Sequence, residues 1–346
     1  MSEVRQDPPT RRWVVFATER AKRPSDFVTA ASRPQVPERD ENCPFCPGNE
    51  ARTPPEKLAF RPHGGEPNGP GWSVRVVPNA FPALKPEGQW AIEDPGFYTR
   101  LAGIGAHEVL IESPRHNHSP GRMTPDEIAQ VLAAAAERFL ALTQDRRLSY
   151  IAFFRNKGQG AGCSLAHPHS QIIATPVAPT HIREEVAQAR TYYDDRVSCA
   201  YCDVLRREKE LGTRVVADTG HFLVFEPFAS RWPFETWIVP WEHRSIIEPT
   251  EAGGLKGLAV ALRIALGALH DAADDPDYNL VLHEAPLRDS CEDYYHWHIE
   301  IAPRLSTPAG FELGTGIWIN TVMPEDAADY LRQFAAGQPG SAGQKG

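Results

Sequence analysis

Apolar positions along the chain fall into short runs broken by proline and glycine, with two long helical stretches among them. Residues 11–17 (RRWVVFA) read as a strand that runs into TERAKRP, where Pro24 ends regular pairing. Strands follow at Trp72 to Val77 and at His107 to Glu112. Thr124-Pro-Asp-Glu then supplies a cap and early acids for an alanine-rich helix ending near Leu142. Tyr150 to Phe154 and Gln171 to Ala174 are the next strands, with a glycine loop and histidines between them. The stretch from Pro34 to Pro70 has no period, so its order is expected to depend on whatever Cys43 and Cys46 hold.

The second half repeats this order. Residues 221–225 (HFLVF) and 236–240 (TWIVP) predict strands, 251–270 a helix, and Tyr278 to His283 and Trp297 to Ile301 two more strands. Strands in hairpin-like sets around one long helix predict an α+β fold, an antiparallel sheet with a packed helix in each half, and not a doubly wound parallel sheet. The division is expected near residue 190, giving 1–190 and 191–346. Four chemical features recur in the same order: a CxxC pair, a histidine before the helix, the helix, and an HxH segment. His116 to His167 spans 51 positions and His243 to His296 spans 53. An ordered set of four is poorly explained by chance.

Composition narrows the function. The 346 residues carry 36 Lys and Arg against 45 Asp and Glu, a net charge of −9, with no basic stripe to bind nucleic acid. No run approaches the roughly 18 apolar residues of a membrane span, and the opening MSEVRQDPPTRRW lacks a secretory core, so a soluble cytoplasmic protein is expected. Four of the 6 cysteines lie in CxxC pairs, which in that compartment read as metal ligands and not as disulfides.

Two thiolates three positions apart and two distant imidazoles complete a tetrahedral shell suited to zinc. The repeat supplies two such sets: Cys43, Cys46, His116 and His167, then Cys199, Cys202, His243 and His296. Neither leaves an open position, so both are expected to be structural. His118 competes with His116, but the matching spacings favour His116. The richest segment is FFRNKGQGAGCSLAHPHSQ, where Gly158, Gly160 and Gly162 are expected to offer N–H groups to an anion beside Asn156, Lys157 and Ser164. His167 and His169 alternate on one strand face. An imidazole beside a bound phosphate can be a nucleophile that stores activation for a second acceptor, so His169 is the catalytic candidate, with Gln171 donating to a phosphate oxygen. Cys163 is expected only to pack, with at most a contact to ligand.

These segments (WVVFATERAKRP, CPFC, VVPNAFPAL, SPRH, NKGQGAGCS, HPHSQ and the late HEAP and HxH) resemble the galactose-1-phosphate uridylyltransferase family of the histidine-triad superfamily over nearly the whole chain. The resemblance implies two fused histidine-triad-like domains, a homodimer, and ping-pong nucleotidyl transfer through His169, from UDP-glucose to galactose 1-phosphate. It marks Arg20, Arg23, Asn79, Asn156, Gly162, Ser164 and Gln171 as nucleotide or phosphate contacts. No nicotinamide, flavin or nucleotide cofactor is implied; the partners are a nucleotide sugar and a sugar 1-phosphate. Two departures bear on the substrate. HPHSQ replaces the usual HPHGQ, and the late glutamine of the family falls near Val322. The second CxxC resembles the plant-type ADP-glucose phosphorylase branch, which makes phosphorolysis of a nucleotide sugar the alternative reading. Another branch would place a second metal at Glu185, His283, His296 and His298. The internal repeat favours the Cys199 set instead, leaving His283 and His298 as sheet-face or substrate-side residues and Glu185 as a helix-surface acid. A non-catalytic, zinc-stabilised nucleotide-binding protein is the reading from a different class.

Overall fold

The computed structural model describes residues 2–340 except 18, 20–23, 28–35, 90, 94–95 and 248–253. The strands β1 (Glu3–Gln6) and β2 (Trp13–Phe16) form an N-terminal hairpin, followed by β3 (Leu58–Phe60), β4 (Val74–Pro78) and a small β5–β6 ribbon (Ile92–Glu93, Arg100–Leu101). Next come β7 (Ala106–Ile111), helix α1 (Pro125–Thr143), β8 (Tyr150–Lys157) and β9 (His169–Thr175). Helices α2 (Thr180–Arg196) and α3 (Ala200–Leu211) lead to β10 (Val215–Asp218), β11 (Phe222–Phe225) and β12 (Thr236–Pro240). Helix α4 (Gly254–Ala272), β13 (Tyr278–His283) and β14 (His298–Pro303) follow, then α5 (Gly310–Thr315), β15 (Trp318–Asn320) and α6 (Pro324–Ala335).

Helix α1 starts where the sequence places it: the Thr124 hydroxyl accepts from the Glu127 N–H while the Glu127 carboxylate accepts from the Thr124 N–H, with Pro125 at the first helical position. The predicted helix over 251–270 is α4, of which 251–253 lie outside the described residues.

Ten strands form one antiparallel sheet in the order β10-β11-β12-β14-β13-β8-β9-β7-β4-β3. Its two five-stranded halves have the same internal order and meet edge to edge where β8 pairs with β13, Phe154 opposite Val281. The halves therefore hide each other's open edge. A second connection closes at the far end of the chain, where β15 pairs in parallel with β2, Trp318 opposite Val14.

Alternation along the strands sorts side chains between two faces. Val76, Leu110, Ile172, Val224, Ile238 and Ile299 face the main core against α1, α4 and α6. Their neighbours point the other way, into two smaller clusters, one around Cys43, Cys46, Val77 and Val109, the other around Cys199, Tyr201, Phe225 and Trp237. His169 and Gln171 on β9, and His298 and Glu300 on β14, share that second face. Among the described residues no helix is long and apolar enough to cross a membrane.

Candidate active site and metal centres

The first cluster joins a loop, the segment after β7 and the approach to β9. Cys46 Sγ lies 3.4 Å from His116 Nδ1 and 3.6 Å from His167 Nδ1, and the two Nδ1 atoms are 3.3 Å apart. All four donor atoms, Cys43 included, fall within 4.8 Å of one another. His167 donates its Nε2–H to the Ser113 carbonyl at 2.8 Å, which leaves its Nδ1 lone pair turned to the cluster centre. His118 instead pairs with Glu127 at 3.1 Å and takes no part.

The second cluster is built the same way. Cys202 Sγ is 3.3 Å from His243 Nδ1 and 3.5 Å from His296 Nδ1. The remaining ring nitrogens donate to backbone carbonyls, His243 to Glu292 at 2.6 Å and His296 to Pro240 at 3.0 Å. His116 and His167 cross at 5.1 Å and 85°, and so do His243 and His296. Both Cys2His2 sets can coordinate a metal ion, and two thiolates with two imidazoles, backed by carbonyl acceptors, are the donors zinc takes in closed structural sites.

Two residues beyond His167, His169 opens β9. Its Nδ1–H donates to the His167 carbonyl at 2.8 Å, so Nε2 carries the lone pair. Burial, with an opposing lift from that hydrogen bond, holds the imidazole below its usual pKa of 6.5 and keeps it neutral near pH 7. Phe45 packs edge-on against the ring at 5.4 Å. Behind it, Glu112 accepts from the Ser170 hydroxyl at 2.5 Å and from Arg155 at 3.1 Å, a buried pair that stiffens the start of the strand. His169 opens on a cavity of about 440 Å³ that Arg52, Asn79, Phe81, Ser164 and Gln171 also line.

Gln171 has a partner that the sequence reading missed. His107 accepts at Nδ1 from the Ala83 N–H (3.2 Å), so its Nε2–H donates to Gln171 Oε1 at 2.7 Å and turns the Gln171 NH2 group outward. His107 sits in HEVLI, a stretch that reads as plain strand; its polar first position was the available signal.

The glycine loop differs from expectation. The N–H of Gly160 goes to Asp277 Oδ2 at 2.8 Å, that of Gly162 to the Gln159 carbonyl at 2.9 Å, and that of Cys163 to the Gly158 carbonyl at 3.0 Å. These donors close the loop on itself and on Asp277 instead of facing an anion. Gly158 is required by packing: it has φ +78°, and a Cβ there would lie 1.9 Å from Asp277 Oδ1. Lys157 pairs with Asp275 at 2.6 Å, and Asn156 accepts from Asn279 at 2.7 Å on the same sheet face as His169. Cys163 donates to the Leu165 carbonyl at 3.1 Å. Arg20 and Arg23 lie outside the described residues.

The sequence profile described as "Galactose-1-phosphate uridyl transferase, N-terminal domain" matches residues 1–179, and that of a domain of unknown function, DUF4921, matches 108–335. The chain belongs to the galactose-1-phosphate uridylyltransferase family. It is 37% identical to the ADP-glucose phosphorylase of Arabidopsis thaliana over 341 residues, covering 96% of this chain and 93% of that one. It is 30% identical to the galactose-1-phosphate uridylyltransferase of Thermotoga maritima, covering 96% and 98%. Among solved structures, the Arabidopsis ADP-glucose phosphorylase with bound ADP-glucose superposes with a TM-score of 0.77 at 33% identity, covering 96% and 98%. A uridylyltransferase gives 0.73 at 30%, covering 97% and 98%. The chain is thus a nucleotidyltransferase-like enzyme of the histidine-triad superfamily.

The other ligand set that the family suggests, Glu185, His283, His296 and His298, does not assemble as a foursome. Both ring nitrogens of His296 are engaged, with Cys202 and Pro240. Glu185 is not a surface acid: α2 buries Ile182, Glu185 and Ala189, a stripe at i, i+3 and i+7, and so turns the carboxylate inward. There Glu185 meets His283 at 3.0 Å and Arg12 at 3.5 Å, while Glu300 takes Arg231 at 2.5 Å. Burial pulls the His283 pKa down, but Glu185 and Glu300 outweigh it and hold the group well above 6.5. The pair therefore contributes its full stability below about pH 6.5 and loses it as pH rises through the elevated value. Thermal melts of the wild type should fall between about pH 6 and about pH 9, and Glu185→Gln should flatten that slope. An unchanged slope would show that the pair does not govern alkaline stability.

Proposed function

We propose that this enzyme is a nucleotide-sugar phosphorylase that cleaves ADP-glucose with inorganic phosphate through a nucleotidyl–His169 intermediate. The observation that carries the substrate class is the likeness, over 96% of the chain, to the Arabidopsis ADP-glucose phosphorylase. The second Cys2His2 cluster accords with it.

The chemistry follows from the tautomer. His169 Nε2 attacks the α-phosphorus, a P–N bond forms, and the bond to the sugar 1-phosphate breaks. The leaving group departs as a stable phosphate anion and needs no proton. The substituted imidazole keeps its Nδ1–H and becomes cationic, and the His167 carbonyl then holds that proton in a stronger, charge-assisted hydrogen bond. Inorganic phosphate attacks the same phosphorus, ADP leaves, and His169 returns neutral. In this scheme Gln171, oriented by His107, donates its NH2 to an α-phosphate oxygen. Ser164 and Asn79 contact phosphate and ribose from the cavity wall, Asn156 and Gly162 border them, and Arg20 and Arg23 offset phosphate charge.

Uridylyl transfer from UDP-glucose to galactose 1-phosphate is the second reading, favoured by the N-terminal profile and the Thermotoga relative. Initial rates with ADP-glucose plus phosphate, compared with UDP-glucose plus galactose 1-phosphate, separate the two. The proposal expects the first pair to be faster by at least about tenfold in kcat/KM. The reverse order would overturn it in favour of uridylyl transfer.

A further inference from the structure

HPHSQ carries Ser170 where the usual motif of the family has glycine, and this serine does not face the substrate. Alternation along β9 sends its side chain to the face opposite His169 and Gln171, into the interior. There its hydroxyl donates to Glu112 Oε1 at 2.5 Å, the length of a charge-assisted bond.

Glu112 grips the chain on both sides of the nucleophile. It follows β7, where Ile111 stands opposite His169. The Glu112 N–H donates to the Pro168 carbonyl at 3.1 Å while its carboxylate takes the Ser170 hydroxyl, so the residues before and after His169 are tied to the same residue. Pro168 has no N–H to give, which leaves its carbonyl as its one main-chain hydrogen-bonding group. The neighbouring Ser113 carbonyl holds His167 through Nε2. Ladder pairing with β8 ends at Phe154 opposite Gln171, two residues beyond His169, so the hold on the nucleophile comes from the β7 side. Glu112 is itself fixed. Arg155 Nε donates to both of its oxygens at 3.1 Å, and Arg155 Nη1 donates to the Tyr278 hydroxyl at 3.1 Å, on β13 of the second half. All four side chains of this series are at most 4% exposed.

We infer that Glu112, acting through Ser170 and the Pro168 carbonyl, is a positioning residue that holds His169 Nε2 oriented for attack on the α-phosphorus. Its carboxylate serves the strand behind the nucleophile and not the reacting atoms. Misplacing a reacting group by about 1 Å can cost about 100-fold in rate, so loosening one of the two ties is expected to cost about tenfold. The inference rests on His169 as the nucleophile and is independent of the base that the nucleotide carries.

Rapid-quench time courses of the full, metal-loaded chain test it. ADP-glucose and UDP-glucose, each labelled at the α-phosphorus, are run separately without acceptor, and each run gives a rate and an amplitude of loading on His169. At saturating substrate Ser170→Ala should load about tenfold more slowly than the wild type, with the same amplitude and a half-saturating concentration within about twofold. Ser170→Thr restores the hydroxyl, and a cavity of about 30 Å³ bordered by Ser170 and Glu112 has room for the added methyl group. It should therefore load within about threefold of the wild type. Glu112→Asp keeps a charge facing Arg155 but draws the acceptor back from Ser170, and should slow loading as Ser170→Ala does; it decides the matter if the alanine variant fails to fold. A merely structural tie would lower the amplitude, which counts intact sites, and leave the rate per site unchanged. That result, or loading at the wild-type rate in Ser170→Ala and Glu112→Asp, would overturn the inference. A wild type that turns over without label on His169 would overturn the nucleophile and this inference with it.

Discussion

His169→Gly is expected to lower turnover by at least about 10⁴-fold while leaving fold and metal content intact. His169 is 8% exposed; its ring donates to the His167 carbonyl and meets the edge of Phe45. Its removal leaves a small void beside an existing cavity, and no buried charge is orphaned. The loss therefore falls on the chemical step. Steady-state kinetics with the nucleotide-sugar panel, together with zinc analysis and circular dichroism, check the three parts separately. Retained turnover would remove His169 from the mechanism.

The two metal sets predict unequal consequences. Cys46→Ser and Cys202→Ser should each lose one metal equivalent, since each takes a thiolate from one Cys2His2 set. Apparent zinc affinity in such shells is worth about 10–16 kcal/mol, so both variants should melt at lower temperature. Only the first should also lose most of its kcat. His167 ties the first set to the reaction, because its ring is a donor in the cluster and its carbonyl holds the Nδ1–H of His169 at 2.8 Å. His296 holds His298 in the same manner at 3.1 Å, but His298 is fully buried and does not line the cavity that His169 opens on. Metal content by emission spectrometry, melting temperature and kcat for both variants make the comparison. Equal losses of kcat would show that the first set has no special hold on the nucleophile.

What the sequence revealed, and what it hid, follows from how each element is stabilised. The strands around Val76, Leu110 and Ile238 were legible because both of their faces are buried, which writes a continuous apolar run into the chain. Helix α1 announced itself through its capping box. Helices α2 and α3 did not, since α2 buries only Ile182, Glu185 and Ala189 and its remaining surface is polar. One of those three is an acid, so pattern reading counted it as exposed. Strand β15 is short and depends on a partner far away in sequence, Trp318 lying opposite Val14. The metal sets were legible from the repeat, because ligand spacing survives in both halves. The glycine loop was misread for the opposite reason: Asp277, which consumes the Gly160 N–H, lies 117 residues away. His107 acts through Gln171 across a strand pair, a relation no local motif encodes.

The central claim is a covalent nucleotide on His169, and the most direct measurement is a single-turnover trap. The enzyme is mixed with ADP-glucose labelled at the α-phosphorus in the absence of phosphate, quenched in base, digested and sequenced by mass spectrometry. The account predicts an acid-labile, base-stable nucleotidyl group on the peptide carrying His169, in an amount approaching one per chain and discharged as ADP when phosphate is added. Steady turnover of the same substrate with no label on that peptide would contradict it.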